Sequence, residues 1–373
     1  MTADCLVVGA GLSGLLVARE LDRAGLAVTV LERGEPGRES SWAGGGILSP
    51  LYPWKYDAAV NRLAAWSQAR YPELCRQLLQ ETGIDPQWLN SGLLLLDQGE
   101  FSPAQSWSAD WSQLCELVTG CSDIEPALAG DSDAGLFFPQ LAQVRNPRLL
   151  QALQASLEAR GVSILSQTEV LSLRCDAGRV TGVESSRGLL KAGRVVIAGG
   201  AWSRRLLEGL DINLAVEPVR GQMLLFKAEP GWLRHIVLSD GHYVIPRQDG
   251  HVLVGSTLEY VGFDKQTTAV GRDLLLAFVR QRLPDLLGFE LIQHWAGLRP
   301  GSAQGIPFIG EHPAISGLFV NAGHFRNGVV MGPASARLLR DIMLDSSVES
   351  GETETIIDPA PYSLEACVEE RLC

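Results

Sequence analysis

Residues 5–32 constrain this chain more than any other stretch. Residues 5–8 are a short valine-containing apolar run, the pattern of a buried strand, and Gly9, Gly11 and Gly14 follow at G-x-G-x-x-G spacing. Residues 15–24 then carry apolar side chains at helical spacing, and 28–31 read as a second buried strand ending on Glu32. Each part has a physical task. Gly9 allows the tight turn, Gly11 lets the backbone approach a pyrophosphate, and Gly14 lets helix and strand pack closely. The free N–H groups and positive dipole at the helix start attract phosphate. Glu32, at the next strand end, can accept hydrogen bonds from ribose hydroxyls. A glycine triplet alone is a weak signal, and an accidental glycine-rich turn is the ordinary alternative. Strand, helix and terminal acid together point to a dinucleotide site, with NAD and FAD both open.

A length of 373 residues suits two domains, or one with a large insertion. Hydrophobic residues at 46% and charged residues at 20% indicate a globular chain rather than a disordered one. The net charge of −12 is uneven, because the last 29 residues hold eight acids and one Arg. No basic run occurs, which argues against nucleic acid and anionic membrane surfaces as partners. No apolar stretch approaches the ~20 residues of a membrane span. The first strand begins within a few residues of Met1, so no signal peptide and a cytoplasmic location are expected. The seven cysteines (Cys5, Cys75, Cys115, Cys121, Cys175, Cys367 and Cys373) are odd in number and form no Cys-x-x-Cys. With histidines scattered singly, they predict reduced thiols and no metal site.

Helix and strand patterns stop after Glu32, in GEPGRESSWAGGGILSP. Gly44, Gly45 and Gly46 in a row are entropically costly to order. The choice lies between a flexible loop and a backbone pressed against a flat ligand, with Ser40 and Ser41 as hydroxyls for phosphate or ribitol. Residues 58–82 predict a long helix broken or restarted at Pro72. A strand over 88–96, a helix and loop over 102–126 and a short strand at 136–138 follow. Asn146-Pro147 opens a helix to 160, with Gly161 as its C-cap. Residues 162–165, 169–173, 180–185 and 195–198 read as strands, the last running into Gly199, Gly200 and Trp202, a second place for backbone to close on a cofactor.

From 216 to 256 strands dominate, at 223–226, 235–238, 243–246 and 252–254. A helix over 272–283 ends at Pro284. A strand at 292–296 leads into GLRPGSAQGIPFIG, and one at 317–322 leads into GHFRNG and a helix over 328–344. The acidic tail from 345 is expected to be loosely held or on the surface. The alternation of βα and antiparallel blocks predicts two interleaved domains. A second helix N-terminus after Arg326 favours FAD over NAD, since a dipole there stabilises negative charge on a reduced flavin ring by ~0.3–2 kcal/mol.

The motifs VVGAGLSG with Glu32-Arg33, SSWAGGGILSP, VVIAGGAWS, HYVIPR with LVGST, WAGLRPGSAQGIPFIG and GHFRNGVVMGPASARLL span residues 5 to about 344. Together they resemble the FAD-dependent amino acid oxidases of the D-amino-acid oxidase superfamily, most closely the glycine oxidases of thiamine biosynthesis. The resemblance implies an α/β chain. Its FAD-binding, Rossmann-like domain of the glutathione-reductase type (1–86, 146–216 and 296–361) is interleaved with an antiparallel-sheet α+β substrate domain (87–145 and 217–295), and 362–373 is left as the tail. It implies non-covalent FAD, held by Gly9, Gly11, Leu12, Ser13, Gly14, Glu32, Arg33, Ser40, Ser41, Gly45, Gly46, Ile47, Val170, Gly199, Gly200, Trp202, His324, Phe325, Arg326, Asn327, Gly328, Val329 and Val330. It also implies oxidation of a small amino acid or amine by O₂, and relatives are often homo-oligomers, including tetramers.

Oxidising an amino acid by hydride transfer requires a fixed carboxylate, a Cα–H facing the flavin, and an amine free to become an imine. A guanidinium is the best carboxylate clamp, because it makes two parallel hydrogen bonds. Arg299, expected in a Gly- and Pro-flanked turn after a strand, is the candidate, with a surface ion pair as the alternative role. Tyr243 can add a hydrogen bond to the carboxylate, unless it is a packed strand tyrosine. Arg326 belongs beside flavin and substrate by resemblance, and Gly46, Ile47 and Leu258 line the substrate, Leu258 standing where close relatives often carry Met. His235, His251, His294 and His312 read as packed or surface residues, while His242 and His324 lie inside family motifs. No general base is required, because the neutral amine can lose hydride directly.

The competing activities are an N-methyl amino acid (sarcosine-like) oxidase and a D-amino-acid dehydrogenase passing electrons to a quinone. A flavin domain acting on tRNA would need a basic surface. The absence of cysteine between Cys175 and Cys367 excludes the covalent flavin of the sarcosine type.

Overall fold

The computed structural model describes residues 3–129, 134–210, 214–344 and 357–365. The opening stretch folds as its pattern requires. Strand Cys5–Val8, buried throughout, turns at Gly9 into helix Leu12–Arg23, and the chain returns as strand Val28–Leu31. Valine-rich strands buried on both faces belong in a parallel sheet. The five strands Ser163–Leu165, Val28–Leu31, Cys5–Val8, Arg194–Ile197 and Ile315–Ala322 lie side by side in that order, all parallel. Helices Leu12–Arg23, Asn146–Ala159 and Gly328–Met343 cover one face, where Leu15, Leu153 and Leu339 are fully buried.

The second sheet has eight strands. Its order is Glu290–Gly301, Glu217–Lys227, His251–Gly255, His242–Pro246, Ile236–Ser239, Leu93–Leu95, Ala134–Phe138 and Glu116–Thr119. All its pairs are antiparallel except Ile236–Ser239 with Leu93–Leu95. Helix Ala269–Arg282 packs on it, burying Leu275, Phe278 and Val279.

Several expectations are corrected. The strand expected to end at 296 continues to Gly301, paired with Glu217–Lys227 along its length, so Arg299 lies on a strand and not in a turn. That strand also runs across the domain boundary placed at 296. The strand expected over 88–96 shortens to Leu93–Leu95, and 102–126 contains an unforeseen edge strand, Glu116–Thr119. Strand Phe308–His312 was hidden in a glycine-rich motif. One expectation in this region holds: the long helix breaks between Gln68 and Tyr71, and Pro72 opens the second half, where a missing N–H costs nothing. Of the tail, 358–361 and 365 lie on the surface as expected, with two buried exceptions between them. Tyr362 and Leu364 are buried, and the Tyr362 hydroxyl donates to the Ala59 carbonyl. The tail at 345–356 and 366–373 lies outside the described residues.

Candidate active site

A single cavity of about 430 Å³ runs from the first glycine turn to Arg299. At its nucleotide end the glycines act through what they lack. Gly9 has φ +108°, and a Cβ there would lie 2.5 Å from the Ala198 carbonyl oxygen. A Cβ on Gly14 would sit 1.9 Å from the Gly9 carbonyl oxygen, so Gly14 serves helix–strand packing behind the turn and does not line the cavity. The Ser41 hydroxyl accepts from the Leu12 N–H at 2.9 Å and faces Gly11.

Glu32 accepts from the Ala10 and Gly34 N–H groups at 2.9 and 3.0 Å. A carboxylate offers about four lone-pair positions, which leaves two for a diol. Arg33 stacks on the Trp202 ring at 3.8 Å and pairs with Glu39 at 3.1 Å. Val170, Gly199, Gly200, Ser13 and Ser40 complete this end. Two helices, Leu12–Arg23 and Gly328–Met343, begin at the cavity without a side-chain cap. Apart from the Leu12 N–H, which Ser41 takes, their first N–H groups have no intrahelical acceptor and suit anionic or carbonyl oxygens. The glycine cradle, the half-used carboxylate and the two uncapped helix starts therefore fit FAD.

At the other end Arg299 is partly buried. It donates from Nη2 to Ser256 Oγ at 2.7 Å and from Nη1 to the Thr257 carbonyl at 3.2 Å. Gly221, on the adjacent strand, makes room for it, since a Cβ there would lie 2.1 Å from Nη1. Burial pushes the Arg299 guanidinium below its usual value, and the positive charge of Arg326 acts in the same direction. Tyr243 is buried and donates to Met223 Sδ at 3.3 Å. Phe325 adopts a left-handed φ of +48° and donates its N–H to the Pro300 carbonyl at 2.8 Å, which ties the Arg326 turn to the Arg299 strand. Gly45, Gly46, Ile47, Phe325, Arg326, Gly328 and Val329 all line the cavity.

Leu258 does not line the cavity and is 47% exposed, so its expected place beside the substrate is not found. Val330 is buried in the core, and Asn327 is buried with its N–H donating to the His324 carbonyl. Neither faces the cavity. His324 does, and burial lowers its pKa to about 4, which keeps the imidazole neutral. His242 instead packs against Phe278, with ring centroids 5.2 Å apart.

Sequence reading missed Gly221, Met223, Gly297, Thr168, Asn321 and Ala322 as lining residues. Asn321 and Ala322 had a signal, because ligands bind at the carboxyl ends of parallel strands. Gly221 and Met223 had none, since strand alternation does not say which face meets a cofactor.

A family model described as FAD dependent oxidoreductase (DAO) matches residues 4–342. A glycine oxidase of Pseudomonas aeruginosa is 48% identical over 366 residues, 97% of this chain and 99% of that protein. The bifunctional protein ThiO/ThiG of Trichormus variabilis is 30% identical over 92% of this chain and 53% of its own length. The crystal structure of glycine oxidase from Geobacillus kaustophilus superposes with a TM-score of 0.90 at 30% identity, covering 97% of this chain and 98% of that one.

Proposed function

The chain belongs to the FAD-dependent oxidoreductase family, and from that membership we propose that it oxidises glycine and other small amines. The reaction is glycine + O₂ + H₂O to glyoxylate + NH₃ + H₂O₂. One observation carries the assignment of the substrate end. Two guanidiniums, Arg299 and Arg326, meet there with Tyr243, whereas the acids lining the cavity are Glu32, Glu39 and Glu169, of which Glu32 and Glu39 stand with Arg33 at the nucleotide end. A site with two uncompensated cations takes an anion, and a planar fork takes a carboxylate.

Bound FAD would supply a two-electron acceptor for the hydride of the substrate Cα, with O₂ as the final oxidant. In our reading Arg299 binds the carboxylate with the N–H groups that Ser256 and Thr257 leave free. Those two acceptors hold the fork in one orientation before substrate arrives, so little reorganisation is needed. Tyr243 turns its hydroxyl from Met223, a weak acceptor, to the carboxylate. Arg326 adds a second positive charge at the start of helix Gly328–Met343. Neutral His324 borders the flavin region and takes no proton. Catalysis then rests on positioning and electrostatics.

Likeness to the ThiO/ThiG protein supports placing the imine product in thiamine thiazole synthesis. Among the described residues no helix is long and apolar enough to cross a membrane. The thiols Cys5, Cys75, Cys115 and Cys175, none of them in a disulfide, suit a reducing cytoplasm. Exposed Leu258, Tyr260, Val261, Val270 and Leu274 support a closed homo-oligomer, a tetramer by resemblance. Light scattering giving a monomer mass would rule that out.

Anaerobic mixing with glycine, sarcosine, D-alanine and D-proline tests the function. Glycine should bleach the flavin, and air should then yield H₂O₂. Bleaching by none of the four defeats the reading, and bleaching without H₂O₂ assigns a dehydrogenase.

A further inference from the structure

The motif HYVIPR ends on Arg247, a residue used by neither the nucleotide site nor the carboxylate clamp. Arg247 is only 6% exposed and lies just past strand His242–Pro246. Alternate residues of that strand bear on the glycine loop. A Cβ on Gly45 would lie 2.6 Å from Ile245 Cδ1 and 3.1 Å from Tyr243 Cε2. Arg247 continues this every-second-residue row. Its Nη2 donates to the Gly45 carbonyl at 2.7 Å, and its Nη1 donates to the Val144 carbonyl at 3.0 Å and to Gln143 Oε1.

The two segments so gripped are themselves paired. The Val144 N–H donates to the Gly46 carbonyl and the Leu48 N–H to the Ala142 carbonyl, both at 2.9 Å, and Ile47 bridges to Gln143. One fork therefore spans both segments and holds them against the substrate sheet. All three acceptors are neutral. Asp249, two residues on, is engaged by Arg145 at 2.7 Å and by the His251 ring at 2.8 Å. Burying an unpaired guanidinium is costly, and burial lowers its pKa to about 9, so it still carries its charge at neutral pH. That cost needs a return. Three consecutive glycines have no side chains with which to find their place. Gly44, Gly45 and Gly46 form a wall of the cavity, and Arg247 itself does not line it.

We propose that Arg247 is a positioning residue for the flavin, its guanidinium fixing the 44–47 wall of the cofactor cavity in register with the strand that carries Tyr243. The proposal rests on the reading that this wall faces the flavin ring.

The test compares Arg247→Lys and Arg247→Met in the full chain. The measurements are the FAD dissociation constant, the visible circular dichroism of bound flavin, and kcat per bound flavin. Both variants should weaken FAD about tenfold or more, change the dichroism and lower kcat. Lys keeps the charge but not the planar fork, so it should not restore them. An arginine with a merely structural role would lower the thermal midpoint of apoprotein and holoenzyme alike, leaving the dissociation constant, dichroism and kcat per flavin as in the native protein. That result overturns the proposal. If the Met variant does not fold, the Lys variant decides alone by the same readouts. Gly45→Ala tests the underlying reading separately. Unchanged dichroism there means that the loop does not face the ring, whereas changed dichroism with native-like Arg247 variants defeats only the positioning role.

Discussion

The two ends of the cavity are built by different means. The nucleotide end comes mainly from one contiguous stretch, residues 8–33, and acts through backbone: a positive-φ glycine, helix N–H groups and one carboxylate already anchored to two amides. The substrate end is made of side chains from three separate strands and one turn, carrying Tyr243, Met223, Arg299 and Arg326. A local βα turn encodes its own geometry, because covalent neighbours place every donor. A clamp assembled from distant strands depends on sheet register, such as Val219 opposite Arg299. Its members also depend on absent side chains elsewhere, at Gly221 and Gly255, where a Cβ would strike Arg299 and Tyr243. In the proposed function the first end would place the cofactor and the second would select what is oxidised.

Three variants separate the ends. Arg299→Ala should raise KM for glycine by about 10² or more, the cost of removing one partner of a desolvated charge pair, while FAD stays bound. An unchanged KM in steady-state assays refutes the clamp. Glu32→Gln should do the reverse at smaller scale. Loss of one carboxylate oxygen should weaken FAD by about tenfold, read by fluorescence titration, with KM for glycine unaltered once FAD saturates. An equal change in both constants would mean that the ends are not independent.

Glu81→Gln should leave both ligands alone. Its partner Arg19 is almost wholly buried between helices and donates to it at 2.6 and 2.8 Å. Arg19 holds the Glu81 carboxyl down to about 2, against an ordinary 4.5. A depressed carboxylate stabilises the fold above the unfolded value, and the contribution is lost as pH falls from 4.5 through about 2. Because Glu81 is partly solvated, the effect is about 1 kcal/mol. Denaturant titrations should show the variant less stable at pH 7, with a shallower decline below pH 4.5. Parallel acid curves would refute the linkage.

The strand–turn–helix at the proposed nucleotide end was legible because its signals are local. Gly9, Gly11, Gly14 and Glu32 are spaced by the geometry of a single turn and helix. Arg299 and Tyr243 were named from the chemistry of a carboxylate clamp with family likeness beside it, and Arg299 was placed in a turn, because Gly297, Pro300 and Gly301 look like turn residues. They are tolerated in strand Glu290–Gly301 for a tertiary reason. A Cβ on Gly297 would meet Ala43 at 2.5 Å, so the glycine admits the short helix Ser40–Ala43. Leu258 was named from family likeness alone, and it lies outside the cavity lining because the strand that would direct it ends at Gly255. Tyr362 was assigned to a loosely held or surface tail because local acidity hides two buried anchors, Tyr362 and Leu364.

By itself the sequence determined the βα nucleotide grip, the alternation of parallel and antiparallel blocks, and the residue types a flavin oxidase needs. All of these follow from covalent spacing and the periodicity of apolar residues. Only the tertiary structure decided that the glycine loop, the Tyr243 strand and the Arg326 turn close on one cavity, and which side chains reach it. Those contacts join residues up to about 300 positions apart. Their distances are set by how two sheets pack, and no local pattern records that.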